Sequence, residues 1–205
     1  REAHGLAAGF TSAWPGFEAA RLLAVGLSQS DRADDALRVI EPFRDLVERE
    51  GSREQRARFW ADYAYALNAA RQLRRTAEAL SRAAEHARAL GDHGELATLT
   101  SNLALVQGNL GRVDLAHDQA LRARALQRQL GETDGPAGAA IEMYIGMYAA
   151  MLGRYGEALS SLDAALDTFA RDRQPLWFAV ASHHKAVVMI DLAQFARARQ
   201  ALDYD

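Results

Sequence analysis

The chain has 205 residues and 22.4 kDa, 49% hydrophobic and 25% charged, which allows one large domain or two small ones with a proper core and excludes wholesale disorder. A formal net charge of −3 and a pI near 6.1 exclude a general phosphate-binding surface, so direct nucleic-acid binding is not expected. Cysteine is absent, which removes disulfides, thiolate nucleophiles and cysteine zinc sites and fits the reducing cytoplasm.

In chain order, residues 1–10 read as the tail of a second helix. Antiparallel pairs are then predicted at 17–30 and 33–50, 53–71 and 74–90, 94–110 and 113–130, 137–152 and 155–171, and 175–192 with 195 onward. Trp14, Pro15 and Gly16 mark the entry to the first full pair. The spacing of Leu96, Leu99, Leu103, Val106 and Leu110 is helical, and no window alternates as a strand would. The apolar window "GPAGAAIEMYIGMYAAMLG" (135–153) carries Glu142 and is absorbed by the same repeat, so a membrane span is not expected. No signal peptide opens the chain, and a start at Arg1 reads as a piece of a larger protein.

These pairs are copies of one unit. "MLGRYGEALSSLDAAL" (151–166) aligns with "NLGRVDLAHDQALRA" (109–123), with "LAQFARARQAL" (192–202) and with "SDRADDALRVI" (30–40). Ala36, Ala116, Ala158 and Ala198 are then separated by 80, 42 and 40 residues, so one unit falls between the first two. In that unit, 71–92, either Ala77 or Ala79 takes the alanine position. A second marker, "REG" at 49–51, "LGD" at 90–92, "LGE" at 130–132 and "RDR" at 171–173, repeats at 40, 40 and about 42 residues and reads as the helix terminator.

The residues Leu103-Ala104, Gly111, Val113, Ala116 and Ala123 form a pattern that recurs as Ile145-Gly146, Gly153, Tyr155, Ala158 and Ala165, and as Lys185-Ala186, Ala193, Phe195 and Ala198. This pattern resembles tetratricopeptide repeats (TPR), in a subclass of about forty residues found in maltose-regulator-type bacterial transcription activators. The resemblance implies an all-α, right-handed α-α superhelix of about five helix pairs, a TPR-like solenoid cut at both ends. It would be a single domain with repeats at 17–51, 52–92, 93–132, 133–173 and an incomplete 174–205. The structural positions would be Ala104, Gly111, Ala116, Ala123, Gly146, Gly153, Tyr155, Ala158, Ala165, Ala186, Phe195 and Ala198. Small side chains let helix backbones approach, and the aromatic fills the space beside the turn. HEAT repeats share the length but lack the "LGRYxEAL" wording.

In such solenoids the first helices line the concave face. The resemblance implies a binding surface at Arg21, Val25, Ser101, Asn102, Leu105, Asn109, Met143, Tyr144, Met147, Met151, His183 and Val187. Glu18, Gln29, Thr98, Asp191 and a poorly registered stretch around Phe59 and Asp62 belong to the same face. Met143, Met147 and Met151 stand at i, i+4 and i+8 and read either as one adaptable apolar stripe or as ordinary core. A carboxylate clamp is not expected, because no lysine stands at these places, and an asparagine ladder would be partial, with Asn102 as one rung.

No catalytic constellation, cofactor site or metal site is expected. His183 and His184 are adjacent, so they point about 100° apart and cannot share a metal as an i, i+4 pair would. "GETDGPAG" (131–138) lacks the lysine of a phosphate loop and reads as a helix entry with Asp134 as N-cap and Pro136 in the first turn. Arg154 and Glu157 read as solvated helix faces, and Trp60 and Trp177 as packing residues. The expected function is a noncatalytic, cytoplasmic interaction module of a bacterial regulatory protein that binds a protein or peptide segment. Sensing of a small-molecule effector is the alternative, and exposed solenoid ends would allow homo-oligomers.

Overall fold

Seven described residues in the left-handed region, with φ from 52° to 75°, punctuate the chain. Asp31 (57°), Arg71 (58°), Gly111 (75°) and Gly153 (73°) lie 40, 40 and 42 residues apart, while Gly91 (72°), Gly131 (70°) and Arg173 (52°) lie 40 and 42 apart. In several of these turns the residue after the left-handed one donates its N–H five residues back: Arg32 to Leu27 (3.0 Å), Gln72 to Leu67 (2.9 Å) and Arg154 to Ala149 (2.8 Å). That bond satisfies a carbonyl orphaned by the helix end. Both series report one repeat, and the computed structural model describes it over residues 13–131 and 134–202, with side chains over 14–131 and 134–196.

The elements are α1 (Ala13–Gln29), α2 (Ala33–Ile40), a 3-10 turn (Glu41–Phe43), α3 (Arg44–Glu50), α4 (Arg53–Ala69), α5 (Leu73–Leu90), α6 (His93–Asn109), α7 (Val113–Leu130), α8 (Pro136–Met151), α9 (Tyr155–Arg171) and α10 (Pro175–Leu202). The architecture is all-α, and no strand occurs among the described residues. The predicted helix 33–50 is interrupted at Pro42, which has no N–H to donate and crowds the preceding turn, so Glu41–Phe43 tighten to a 3-10 turn. At the entry to α8 the N-cap is Gly135, with Pro136 following it, and Asp134 lies one residue outside. The predicted earlier helix at 1–10, and His4, lie outside the described residues.

Residues 175–202 do not make the expected turn at Ala193. They form one helix, α10, because alanine favours the helix and lacks the easy access to positive φ that Gly111 and Gly153 use. Ala186 and Phe195, expected as packed repeat positions, are exposed instead, Phe195 by 68%. Without a turn at 193 no second helix folds back to cover them. The side chain of Ala198 lies outside the described ones.

The turn register also fixes the second repeat. The residue five places after each left-handed turn is Ala36, Thr76, Ala116 and Ala158, and all four are at most 1% exposed. Thr76 therefore holds the position assigned by sequence to Ala77 or Ala79. It was missed because it is not alanine, and its hydroxyl is tolerated there because it donates to the Gln72 carbonyl at 3.0 Å. On the first helices the small residues Ala24, Ala64, Ala104 and Gly146 recur with the same spacing and are buried. Gly146 is required outright: a Cβ there would lie 2.6 Å from Leu162 Cγ and 2.9 Å from the Ala158 carbonyl oxygen.

The chain divides into two compact units, the boundary falling between Leu110 and Gly111 in the sequence. The core of the first contains an aromatic run in which Phe17 neighbours Phe43 and Phe59, and Phe59 stacks on Tyr63 at 5.5 Å. Trp60 is buried against it, donating to Glu48 at 2.8 Å under the Arg82 guanidinium. The core of the second is built from Ala139, Met143, Ala149, Ala158, Leu162, Ala165, Phe169, Ala181 and Val188. Trp177 is stacked on Phe169 but 39% exposed. No described helix is long and apolar enough to cross a membrane.

Candidate functional site

A groove of about 420 Å3 opens in the first unit between α1, α4 and α6, with Thr76 and Leu80 of α5 at its floor. Its walls follow from the repeat. Val25, Tyr65 and Leu105 are one position forty residues apart, and Asp62 and Asn102 are another. A second hollow of about 750 Å3 shares Gln29, Asn68 and Leu105 with it and continues to Asn109 and Arg71. Apolar contact surface from Val25, Tyr65 and Leu105 thus alternates with the carboxamides of Gln29, Asn68 and Asn102, each able to donate and accept at once.

The charged groups are unevenly matched. The Arg21 guanidinium donates to Asp62 at 2.7 Å and to Glu18 at 3.1 Å. Burial nevertheless pushes the Asp62 carboxyl above its ordinary range, and the bond from Arg21 offsets only part of that. Glu95 is raised as well, first by burial and then by the negative charges of Asp92 and Asp62. Arg21 is therefore held in place by carboxylates at the rim, and the Asp62–Glu95 side of the groove keeps an excess of negative charge.

Of the residues expected on the concave face, Val25, Asn102 and Leu105 line the groove, Asn109 lines the adjoining hollow, and Arg21 is fixed beside them through Asp62. Ser101 is half-buried and lies outside both linings. Phe59, expected near this face, is fully buried in the aromatic core. Tyr65, Asn68 and Glu95 were not singled out from sequence. The signal was present, since Leu105 and Val25 both point to Tyr65 at an offset of forty, but the misplaced alanine register of the second repeat hid it.

In the second unit the methionine stripe does not form one exposed face. Met143 is 2% exposed and belongs to the core, Met147 is half-buried, and Met151 is 60% exposed. At 100° per residue, each step of four turns the side chain a further 40°, so the ends of the series differ by about 80°. Tyr144 packs at the edge of the same core, while His183 and Val187 of α10 are exposed. His183 and His184 meet edge to face with centroids 5.6 Å apart, and burial followed by the neighbouring His183 lowers the pKa of His184. Among the described residues no group of three or more metal-ligating side chains gathers.

Arg154 and Glu157 do more than coat a surface. His117 of α7 is 1% exposed, and its Nε2 lies 3.1 Å from Glu157 Oε1 while Arg154 Nη1 lies 3.4 Å from its Nδ1. Arginine can only donate, so in the contact with Arg154 the His117 Nδ1 is the acceptor, and Nε2–H is left to donate to Glu157. The triad ties α7 to the start of α9.

No family model matches the chain, and no curated protein matches it. Solved structures do share its fold. A signal-transduction ATPase with numerous domains and a tetratricopeptide-repeat sensor, from Pyrococcus horikoshii, superimposes with a TM-score of 0.80 at 14% identity, over 89% of this chain and 28% of that one. A kinesin-light-chain protein of nearly identical TPR-like repeats from Podosopora anserina gives 0.73 at 17% identity, over 95% and 94%. A Rap protein complexed with competence and sporulation factor gives 0.66 at 16% identity, over 91% and 55%. The chain thus spans about a quarter of the first of these proteins and about half of the third. The likeness establishes the fold as a TPR-like helical repeat.

Proposed function

We propose that the chain is a noncatalytic interaction module that binds a protein or peptide segment along the groove between α1, α4 and α6. The observation that carries this reading is the groove's lining, in which apolar surface alternates with carboxamides that have backbone-like bonding capacity. Val25, Asn102 and Leu105 form its centre, with Asn109 extending it, and Met147, Met151, His183 and Val187 offer further surface on the second unit. The complex of the similar Rap protein with competence and sporulation factor supports a partner bound on such a scaffold.

Repeats of about forty residues with "LGD" endings support a place in a larger bacterial regulatory protein, in our reading a transcription activator working in the cytoplasm. The TPR sensor of the similar ATPase supports the second reading, recognition of a small-molecule effector. A thermal-shift screen against metabolites separates the two, because any ligand that binds the folded state raises the melting temperature. Capture of peptides from a random array tests the first reading. Peptides held through the groove must be lost on Tyr65→Ala with Asn102→Ala, and capture insensitive to that double change contradicts the assignment.

A further inference from the structure

Gln55 and Glu95 occupy one repeat position, forty residues apart, at the third residue of α4 and α6. Gln55 is consumed by the helix: its Oε1 accepts the Ser52 N–H at 2.7 Å, closing a capping box with Ser52. In α6 the cap is one-sided. Asp92 Oδ1 accepts the Glu95 N–H at 3.0 Å, but the Asp92 N–H is already bonded to the Ala87 carbonyl at 3.0 Å. The Schellman turn at Gly91 has taken the donor that the Glu95 side chain would otherwise bind. Glu95 has no side-chain hydrogen bond or ion pair among the described residues, and it lines the groove beside Asp62.

We infer that the groove selects an extended peptide segment carrying a lysine or arginine, whose cationic head is received by Glu95 and Asp62. This deepens the peptide-binding reading and rests on it. Charge complementarity is the warrant. The titratable groups at the groove are Glu18, Arg21, Asp62, Tyr65 and Glu95, with Asp92 behind and Arg58 acting on Asp62 from the same helix; Arg21 is spent on Asp62 and Glu18, and no cation pairs with Glu95 among the described residues. Burial raises both Asp62 and Glu95, and negative neighbours add to it, Glu18 at Asp62 and Asp92 with Asp62 at Glu95, so a cation received by this pair relieves a cost already present in the free protein. The groove runs across three first helices, α1, α4 and α6, which suits an extended segment better than a single side chain. The carboxamides of Gln29, Asn68 and Asn102 across those helices suit the segment's backbone N–H and C=O groups.

The test probes an immobilised array of random decapeptides with the whole chain, its Glu95→Gln and Glu95→Lys variants, and Asp167→Asn, which removes an exposed carboxylate of the second unit. Lysine or arginine should be enriched about tenfold at one peptide position, the scale of a hydrogen-bonded charge. Glu95→Gln should erase that enrichment, Glu95→Lys should turn it toward aspartate and glutamate, and Asp167→Asn should leave it intact. Peptides captured through the groove without basic enrichment, or with enrichment that survives Glu95→Gln, overturn the cation preference while the peptide-binding reading stands. If no captured peptide depends on Tyr65 and Asn102, both fall.

Discussion

The first helices of the two units fill equivalent repeat positions with different chemistry. Positions 62 and 102 hold Asp62 and Asn102, while 144 and 184 hold Tyr144 and His184; positions 65 and 105 hold Tyr65 and Leu105, while 147 and 187 hold Met147 and Val187. The small residues beneath them do not diverge in this way. Ala64, Ala104 and Gly146 are buried in both units because the backbones of packed helices must approach there. Packing therefore fixes what the repeat needs and leaves the outward positions free to vary. The first unit offers carboxylates and carboxamides, the second an apolar surface that grades from core to solvent.

That gradient is the easiest part of the comparison to break. Met143→Ala should cost about 2–5 kcal/mol, as deletion of a buried methionine does, whereas Met151→Ala should change stability by less than about 0.5 kcal/mol. Urea unfolding of both variants checks this, and equal costs would restore a single exposed stripe. Gly146→Ala comes next, at about 1–3 kcal/mol, because its Cβ must displace Leu162 and the Ala158 carbonyl of α9. Calorimetric melting reads the loss directly.

The turns separate backbone strain from packing. Nothing lies within 4 Å of a Cβ built at Gly111, so Gly111→Ala should lose about 1 kcal/mol through its φ of +75° alone. Arg71 already bears that strain, and Arg71→Gly should move stability the other way, by less, because glycine also frees the unfolded chain. Denaturant midpoints of the two variants should therefore shift in opposite directions.

The smallest effect concerns Glu95. Its folded pKa is raised above the unfolded value, so the folded state is penalised while the group is ionised and relieved as pH falls through the carboxylate range. Glu95→Gln should be more stable than the parent at neutral pH, and the gap should close as pH falls below the unfolded carboxylate pKa. Melting temperatures from pH 7 to 4 test the sign; a gap that widens on acidification would contradict it.

Much of the fold was legible because helical repeats encode their frame locally. Gly111, Gly153 and the alanines at 36, 116 and 158 mark turns and contacts that allow few residue types. Reading stopped where another residue met the same demand: Arg71 and Asp31 accept positive φ at a cost, and Thr76 sits in an alanine slot with its hydroxyl bonded to the Gln72 carbonyl. Ala193 erred the other way, matching the pattern of a turn while retaining the preference of a helix. Half of the groove was readable in Val25, Asn102 and Leu105. Glu95 was not, because its availability depends on which acceptor the Asp92 N–H finds, a matter of three-dimensional turn geometry.

The central claim is that the first unit carries the binding site. Peptides captured on the random array can be titrated by fluorescence anisotropy against the parent chain, Tyr65→Ala with Asn102→Ala, and Met147→Ser with Met151→Ser. The groove assignment predicts that the first double variant weakens binding by more than about tenfold, the loss of roughly 1.4 kcal/mol or more, and that the second leaves it within about twofold. The reverse order would place recognition on α8 and contradict the account.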